Sequence, residues 1–349
     1  MQRNFHRFPA PAVRRGRPLV RALFVFALSL TLLSALCLLL RPAPQTESIY
    51  QSVSHPAAAS VHAFTLPACV TSGLPAGTAV SAVSYTAARL AAGRMMLIDR
   101  THPLPETAAA PSTYNILTHS HGTIACRDLQ AVLGEDTLSA LEVLFADARQ
   151  QHINLFTVFR GSIAPAQQKT LQVERFCQLS NALSLEEALA QTLREIAPAG
   201  ASEHQTAWAV DIRICDGWDQ LPRSEPLSAS SEGQWLLENS WRYGLIHRYP
   251  ESDPDSDPSC SAYHFRYVGK AHAAMMHALS LSLEDYLALL HRQEALTLWD
   301  EAGAPVCSVL CRPVDGVLTV QAPMLAQLED VSLDNLGWGV AAYLWPLED

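Results

Sequence analysis

Nineteen consecutive residues without a charge, Ala22 to Leu40 (ALFVFALSLTLLSALCLLL), constrain this chain more than any other stretch. A helix of that length just crosses the hydrocarbon core of a bilayer, and the run exceeds the usual apolar core of a signal peptide. Arg3, Arg7, Arg14, Arg15, Arg17 and Arg21 precede it, and no acidic residue occurs before Glu47. The positive-inside rule then puts residues 1–21 in the cytoplasm and everything after Arg41 outside. A cleaved signal peptide is the competing reading, but no clear A-x-A site follows the run, and Leu36 is too large for a lipobox ahead of Cys37. The expectation is a single-pass anchor over 22–40, in the cell membrane, carrying an extracellular body.

That body is acidic. Seven of the 24 lysines and arginines sit at or before Arg41, which leaves 17 against 34 aspartates and glutamates. Such a balance argues against nucleic acid as a partner, since nucleic acid needs a basic footprint. With 349 residues, 49% of them hydrophobic, the chain can bury a core without disulfide staples. Seven cysteines follow the anchor (Cys69, Cys126, Cys177, Cys215, Cys260, Cys307, Cys311), an odd number that leaves at least one free or paired between chains. Cys307 and Cys311, at C-x-x-x-C spacing, read as a strand pair or a local bridge rather than a zinc finger.

Five regions follow from pattern and composition. After the basic tail (1–21) and the anchor (22–40), residues 41–93 combine a Pro/Ala/Ser-rich linker with a segment of weak signal. Residues 94–295 form the main domain and 296–349 a small β-rich module, in which alternation is broken by Gly and Pro. Within the main domain "LIDRTHPLPE" predicts a short strand entering a Pro-fixed turn. Leu138, Leu141, Leu144, Phe145 and Ala148 share one helical face. Ser184 with Glu187, and Ser282 with Asp285, have the spacing of helix-opening capping boxes. "WLLENSWRYGL" predicts a further helix, and "NLFTVFR" and "YHFRYVG" predict buried strands. The mixture is α+β: a small antiparallel sheet with flanking helices, without regular βαβ units.

The stretch "SEHQTAWAVDIRI" (Ser202–Ile214) holds a His and an Asp seven residues apart in apolar surroundings. A catalytic zinc site takes three protein ligands from His, Asp, Glu or Cys and keeps one position for water. His204 and Asp211 supply a pair of suitable chemistry. His264, in a segment otherwise built for burial, is the best third ligand. Thirteen histidines give many chance triples, and a satisfied core His is the commoner reading of any one. His119 and His121 in "THSHG" have metal-like spacing as well, but read better as loop histidines.

The neighbouring residues resemble a known family. "SEHQTAWAVD" is similar to the S-x-H-x-x-G-x-A-x-D motif of the VanY-like zinc D-alanyl-D-alanine carboxypeptidases. "EGQWLLENSWRYGLIHRYP" is similar to that family's W-x-x-x-N-x-x-x-Y-G stretch, and "HFRYVGKAHA" followed by "LSLEDYL" to the segment with its last ligand. "RTHPLP" and the arginine of "VFRGS" match the family's N-P-L-P turn and arginine strand end in order, so the resemblance spans roughly residues 97–293. It implies a D,D-peptidase/hedgehog-like zinc peptidase fold and removal of the terminal D-alanine from peptidoglycan stem peptides ending in D-Ala-D-Ala. Carried over by position, it makes His204, Asp211 and His264 the Zn2+ ligands, Arg160 the group that polarises the scissile carbonyl, and Ser202 a contact for the substrate's terminal carboxylate. Glu203 has a counterpart in the family that carries no base role.

The pattern breaks at the base. The family places a glutamate three residues before its last histidine; here that position is Ser261, in "SAYH". A serine hydroxyl does not take a proton from a zinc-bound water at neutral pH, and losing a general base costs about a hundred- to ten-thousand-fold in rate. Ala207 replaces the motif's glycine, which matters if that backbone needs positive φ. Gln167 or Gln168 stands near the family's glutamine. The acidic, Pro-broken "ESDPDSDPSCS" reads as a solvated loop. The sequence thus supports a membrane-anchored zinc carboxypeptidase or, as the alternative, a pseudoenzyme that binds zinc and stem peptide as a sensor or scaffold.

Overall fold

The computed structural model describes residues 66–86, 90, 93–104, 111–217, 221–249 and 262–346. The basic tail, the anchor and the linker lie outside these residues, as do Cys260, Ser261 and the acidic loop. No helix among the described residues is long and apolar enough to cross a membrane.

In chain order, β1 (Val70–Ser72) and β2 (Val80–Thr86) come first, followed by the short pair β3 (Tyr114–Asn115) and β4 (Val132–Leu133). Helix α1 (Glu135–Gln150) leads into β5 (Phe156–Arg160), and α2 (Pro165–Leu179) and α3 (Leu185–Glu195) form a helical pair before β6 (Ala209–Ile214). Helix α4 (Ser231–Asn239) precedes β7 (Leu245–His247) and β8 (His264–Tyr267). Helices α5 (Lys270–Leu279) and α6 (Leu283–Gln293) then lead to β9 (Ala295–Trp299), β10 (Pro305–Pro313), β11 (Val317–Pro323), β12 (Gln327–Leu333) and β13 (Trp338–Leu344).

Two larger sheets organise these elements. The first has the order β5-β6-β8-β7, antiparallel throughout. Its even-numbered β6 residues Val210 and Ile212 and the odd-numbered Phe265 of β8 pack beneath α1, whose Leu138, Leu141, Leu144, Phe145 and Ala148 are all buried. The helical face read from spacing is therefore the face that closes this core, and full burial of each of its leucine and phenylalanine side chains stabilises by about 1.5–3 kcal/mol. One capping box forms in full: Ser184 Oγ accepts from the Glu187 N–H while the Glu187 carboxylate accepts from the Ser184 N–H. At the other helix the Ser282 hydroxyl caps by itself, accepting from the Asp285 N–H and donating to the Asp285 carboxylate.

The second sheet has the order β1-β9-β10-β13-β12. Helices α5 and α6 cover one face, against Leu296, Cys307, Val309, Cys311 and Val340. The β2–β11 pair covers the other, where Leu310, Ala341 and Tyr343 meet Leu318 and Val320. Residues 296–349 are β-rich as expected, but their core is not their own. Strands β1 and β2 from residues 70–86 join them. Glu329 also accepts from the backbone N–H groups of Lys270 and Ala271, at 2.6 and 2.7 Å, where α5 begins.

Three local expectations differ. Residues 97–104 form no strand; Asp99 Oδ1 accepts from the N–H groups of Thr101 and His102 and makes a turn instead. The helix predicted over Trp235–Leu245 ends at Asn239, continues as one 3₁₀ turn to Tyr243, and becomes β7 after Gly244. Gly244 has φ +84°, and a Cβ there would lie 2.8 Å from the Tyr267 ring, so only glycine makes this reversal. Cys307 and Cys311 do not bridge: both are free thiols, four residues apart along one extended strand, beyond the Cα reach of a disulfide.

Candidate metal centre

The first sheet has one apolar face and one charged face, and strand register decides which residues occupy the second. Asp211 of β6 pairs with His264 of β8. Arg160 of β5 pairs with the same Asp211, but only because a bulge between Val158 and Arg160 inserts one residue. Without the bulge Phe159 would oppose Asp211 and the arginine would turn to the helix-covered face, since a one-residue slip exchanges faces. The bulge thus completes a cross-strand row, Arg160–Asp211–His264. Neighbours in such a row have side chains about 5 Å apart.

His204 arrives from a different element. A short 3₁₀ turn, Glu203–Thr206, precedes β6 and swings the imidazole over the row. It ends at Ala207, whose φ of 66° is left-handed, so the position where the motif has glycine does require positive φ. The Ala207 carbonyl accepts from Gly134 N at 3.1 Å and Thr137 Oγ1 at 3.2 Å, which holds the strained residue against the start of α1.

His204, Asp211 and His264 are all buried, and each offers one ligand atom within 4.8 Å of the others. The two rings meet edge to face at 4.7 Å. Asp211 Oδ1 lies 3.3 Å from His204 Nε2 and 3.0 Å from His264 Nδ1, so one carboxylate oxygen faces one nitrogen of each ring. The other ring nitrogens are engaged on the far side. His204 Nδ1 is 2.8 Å from the Gly161 carbonyl, and His264 Nε2 is 3.0 Å from Glu203 Oε2. A carbonyl can only accept, so it fixes the proton of His204 on Nδ1 and leaves Nε2 as a donor atom for a metal. Two imidazoles, each with its outer nitrogen engaged, and a carboxylate form a donor set that suits zinc.

Electrostatics agree with this arrangement. Burial alone would raise the Asp211 carboxyl, but the His204 and His264 rings beside it hold it well below the usual carboxylate range. Burial pushes His204 down, against the pull of Asp211, and the charge of Arg160 pushes it down further. His264 is also penalised by burial, yet its hydrogen bonds to Asp211 and Glu203 carry it up to about 9. A proton therefore occupies this ring at neutral pH until something more positive displaces it.

The remaining expected residues fall at the margin. Arg160 is exposed at the end of β5, and Ser202 is half-buried ahead of the 3₁₀ turn. Gln167 and Gln168 are both committed elsewhere: Gln167 accepts from Ala164 N at 2.9 Å and Gln168 donates to the Ala197 carbonyl at 2.6 Å. His119 and His121 join no metal-competent cluster among the described residues. Ser261 lies outside the described residues.

Sequence reasoning missed a buried ionic group on the far side of His264. Glu203, its side chain 2% exposed, has its Oε1 3.0 Å from Arg248 Nε and 3.0 Å from Arg266 Nη1. Burial would raise this carboxyl, but the two arginines and His264 hold it far below the ordinary range. The signal was present: Arg248 in "LIHRYP" and Arg266 in "HFRYVG" are charges inside strand-like apolar segments, and buried arginines need acidic partners.

Known proteins resemble this chain in sequence and in fold. Residues 130–270 match the family profile described as VanY, D-alanyl-D-alanine carboxypeptidase. The chain is 24% identical over 257 residues to a D-alanyl-D-alanine carboxypeptidase of Enterococcus faecium, covering 73% of this chain and 76% of that one. A bifunctional D-Ala-D-Ala dipeptidase and carboxypeptidase of Enterococcus gallinarum is 34% identical over 114 residues, covering 32% of this chain and 60% of the relative. In structure, the vancomycin-resistance D,D-dipeptidase VanXYg, solved with a D-Ala-D-Ala phosphinate analogue, aligns with a TM-score of 0.61 at 16% identity. That alignment covers 76% of this chain and 99% of the other, a likeness of fold.

Proposed function

With residues 130–270 belonging to the VanY-like family of D-alanyl-D-alanine carboxypeptidases, we propose that this chain is a zinc metallopeptidase that removes the terminal D-alanine from peptidoglycan stem peptides ending in D-Ala-D-Ala. The observation that carries this reading is the convergence of His204 Nε2, Asp211 and His264 Nδ1, with Arg160 in the same cross-strand row. Zinc, when bound there, would supply a Lewis acid and a water acidified toward neutrality. The chain's own residues supply the rest. Asp211 and the two imidazoles form the cradle. Arg160, exposed at its rim, would hold the scissile carbonyl and stabilise the negative charge that develops on its oxygen. Ser202 would bind the terminal carboxylate. In this reading residues 22–40 anchor the chain in the cell membrane, with the peptidase domain outside, where the cell wall is.

Ser261 favours a second reading. Where the family has its general base, this chain has a hydroxyl, so the domain could have kept zinc and stem-peptide binding as a sensor or scaffold without turnover. One assay separates the two: D-alanine release from a stem pentapeptide by the zinc-supplemented full chain, against a chelated sample and His204→Ala. Chelator-sensitive release above both controls supports the peptidase. Zinc and peptide binding without release supports the pseudoenzyme, and a folded chain that takes up no zinc overturns both.

A further inference from the structure

Resting on the metal reading, we propose that Glu203 is a positioning residue for the metal centre, which selects the nitrogen His264 presents. An imidazole has one proton to place when neutral, and its free lone pair is on the other nitrogen. Glu203 Oε2, 3.0 Å from His264 Nε2, can only accept while ionised, so it keeps the proton on Nε2. Nδ1 is left with its lone pair, and Nδ1 is the nitrogen that faces Asp211 at 3.0 Å. The two histidines thus present opposite nitrogens. The Gly161 carbonyl makes His204 a ligand through Nε2, and the Glu203 carboxylate makes His264 a ligand through Nδ1.

The surroundings of Glu203 serve this end. Its Oε1 is held by Arg248 Nε and lies 3.0 Å from Arg266 Nη1, so the carboxylate cannot turn away from His264. Arg266, fully buried, is fixed in turn by donating to the carbonyls of Arg94 and Met96 at 2.9 and 3.0 Å. Arg248 reaches on to Glu284 in the first turn of α6, donating from Nη1 at 3.0 Å. Tyr249 stacks on the His264 ring at 5.4 Å and beneath the Arg248 guanidinium at 4.8 Å, which sets the plane of the ring. A carboxylate behind a metal-bound histidine fixes its tautomer and raises its basicity, and loss of such a partner costs about 10- to 100-fold in metal affinity.

The test compares the wild-type full chain with Glu203→Gln, which keeps the shape but not the charge. Zinc affinity is read by chelator competition, and folding by circular dichroism. The expected result is a folded variant that binds zinc about 10- to 100-fold more weakly. A folded Glu203→Gln with wild-type zinc affinity overturns the inference and leaves the metal centre standing. A wild type that takes up no zinc overturns the metal centre and this inference together. Should the variant fail to fold around its two unpaired arginines, nitrogen-15 NMR of the cadmium-113-substituted wild type decides. Coupling of the metal to Nδ1 of His264, with a protonated Nε2, supports the assignment, and coupling to Nε2 overturns it.

Discussion

The two large sheets are built from similar material and used in opposite ways. The five-stranded sheet around β10 is covered on both faces, and two of its buried hydroxyls, Thr297 Oγ1 and Ser308 Oγ, meet at 2.9 Å. The four-stranded sheet around β6 is covered on one face by α1, while its other face buries Asp211, His264 and Arg266, with Glu203 and Arg248 against them. Burying that much charge costs several kcal/mol per ion unless every partner is placed. One sheet spends apolar area on stability. The other holds charged groups in fixed positions, which is what a metal site requires.

The sharpest way to break this comparison is to remove a ligand from the charged face. Asp211→Ala should abolish stoichiometric zinc uptake and lower D-alanine release by at least about a thousand-fold; retention of one zinc per chain would place the centre elsewhere. Next in size is the base position. Ser261→Glu should raise turnover by about a hundred- to ten-thousand-fold if the site lacks only a proton acceptor. Unchanged turnover in a steady-state assay would mean that the base lies elsewhere or that the pocket has closed to the substrate.

On the apolar sheet the expected signature is inverted. Leu296→Ala, at a fully buried position, should cost about 2–5 kcal/mol in thermal or denaturant unfolding while leaving zinc stoichiometry unchanged. Loss of zinc from the folded variant would show that the two sheets do not act independently.

A pH series sharpens the contrast further. The folded value of His264, about 9, lies above the ordinary imidazole value of about 6.5. Its protonation therefore supports the metal-free fold fully below about pH 6.5, and that support fades as pH rises through 9. Melting curves of the chelated chain should fall across this window. Those of the zinc-loaded chain, in which the metal replaces the proton, should not, and parallel slopes would contradict the assignment of His264 as a ligand. The smallest effect is expected at Ala207→Gly. Relief of the left-handed strain is worth about 1–2 kcal/mol, offset by the entropy of glycine and a lost buried methyl. A net gain of up to about 1 kcal/mol should appear in denaturant midpoints, with zinc affinity unmoved.

Much of the site was legible before any coordinates. The helical face of α1, the Ser184 capping box, the Ser282 N-cap, the strands β5 and β8 and the three candidate ligand positions follow from local periodicity and motif order, because those signals act within a few residues of the chain. The short strand expected ahead of the turn in Leu97–Glu106 does not form among the described residues, because an Asp99-centred turn outcompetes it. The helix expected through Leu245 failed because Gly244 adopts a conformation that its neighbours in space, not in sequence, demand. The division at residue 296 was blind to β1 and β2, which come from more than 200 residues away, β1 to edge the five-stranded sheet beside β9 and β2 to pair with β11 over its other face.

By itself, then, the sequence determined which residue types were available and which short segments would become helix or strand. The tertiary structure alone decided which of them meet. Register and one bulge turned Arg160 toward Asp211, and a 3₁₀ turn ending in a left-handed alanine brought His204 over the row. Long-range packing set Arg248 and Arg266 around Glu203. The physical reason is separation. A pattern read along the chain carries periodicity over a few residues, whereas the centre is assembled by contacts spanning 43 to 61 positions, between Gly161 and His204 and between Glu203 and His264.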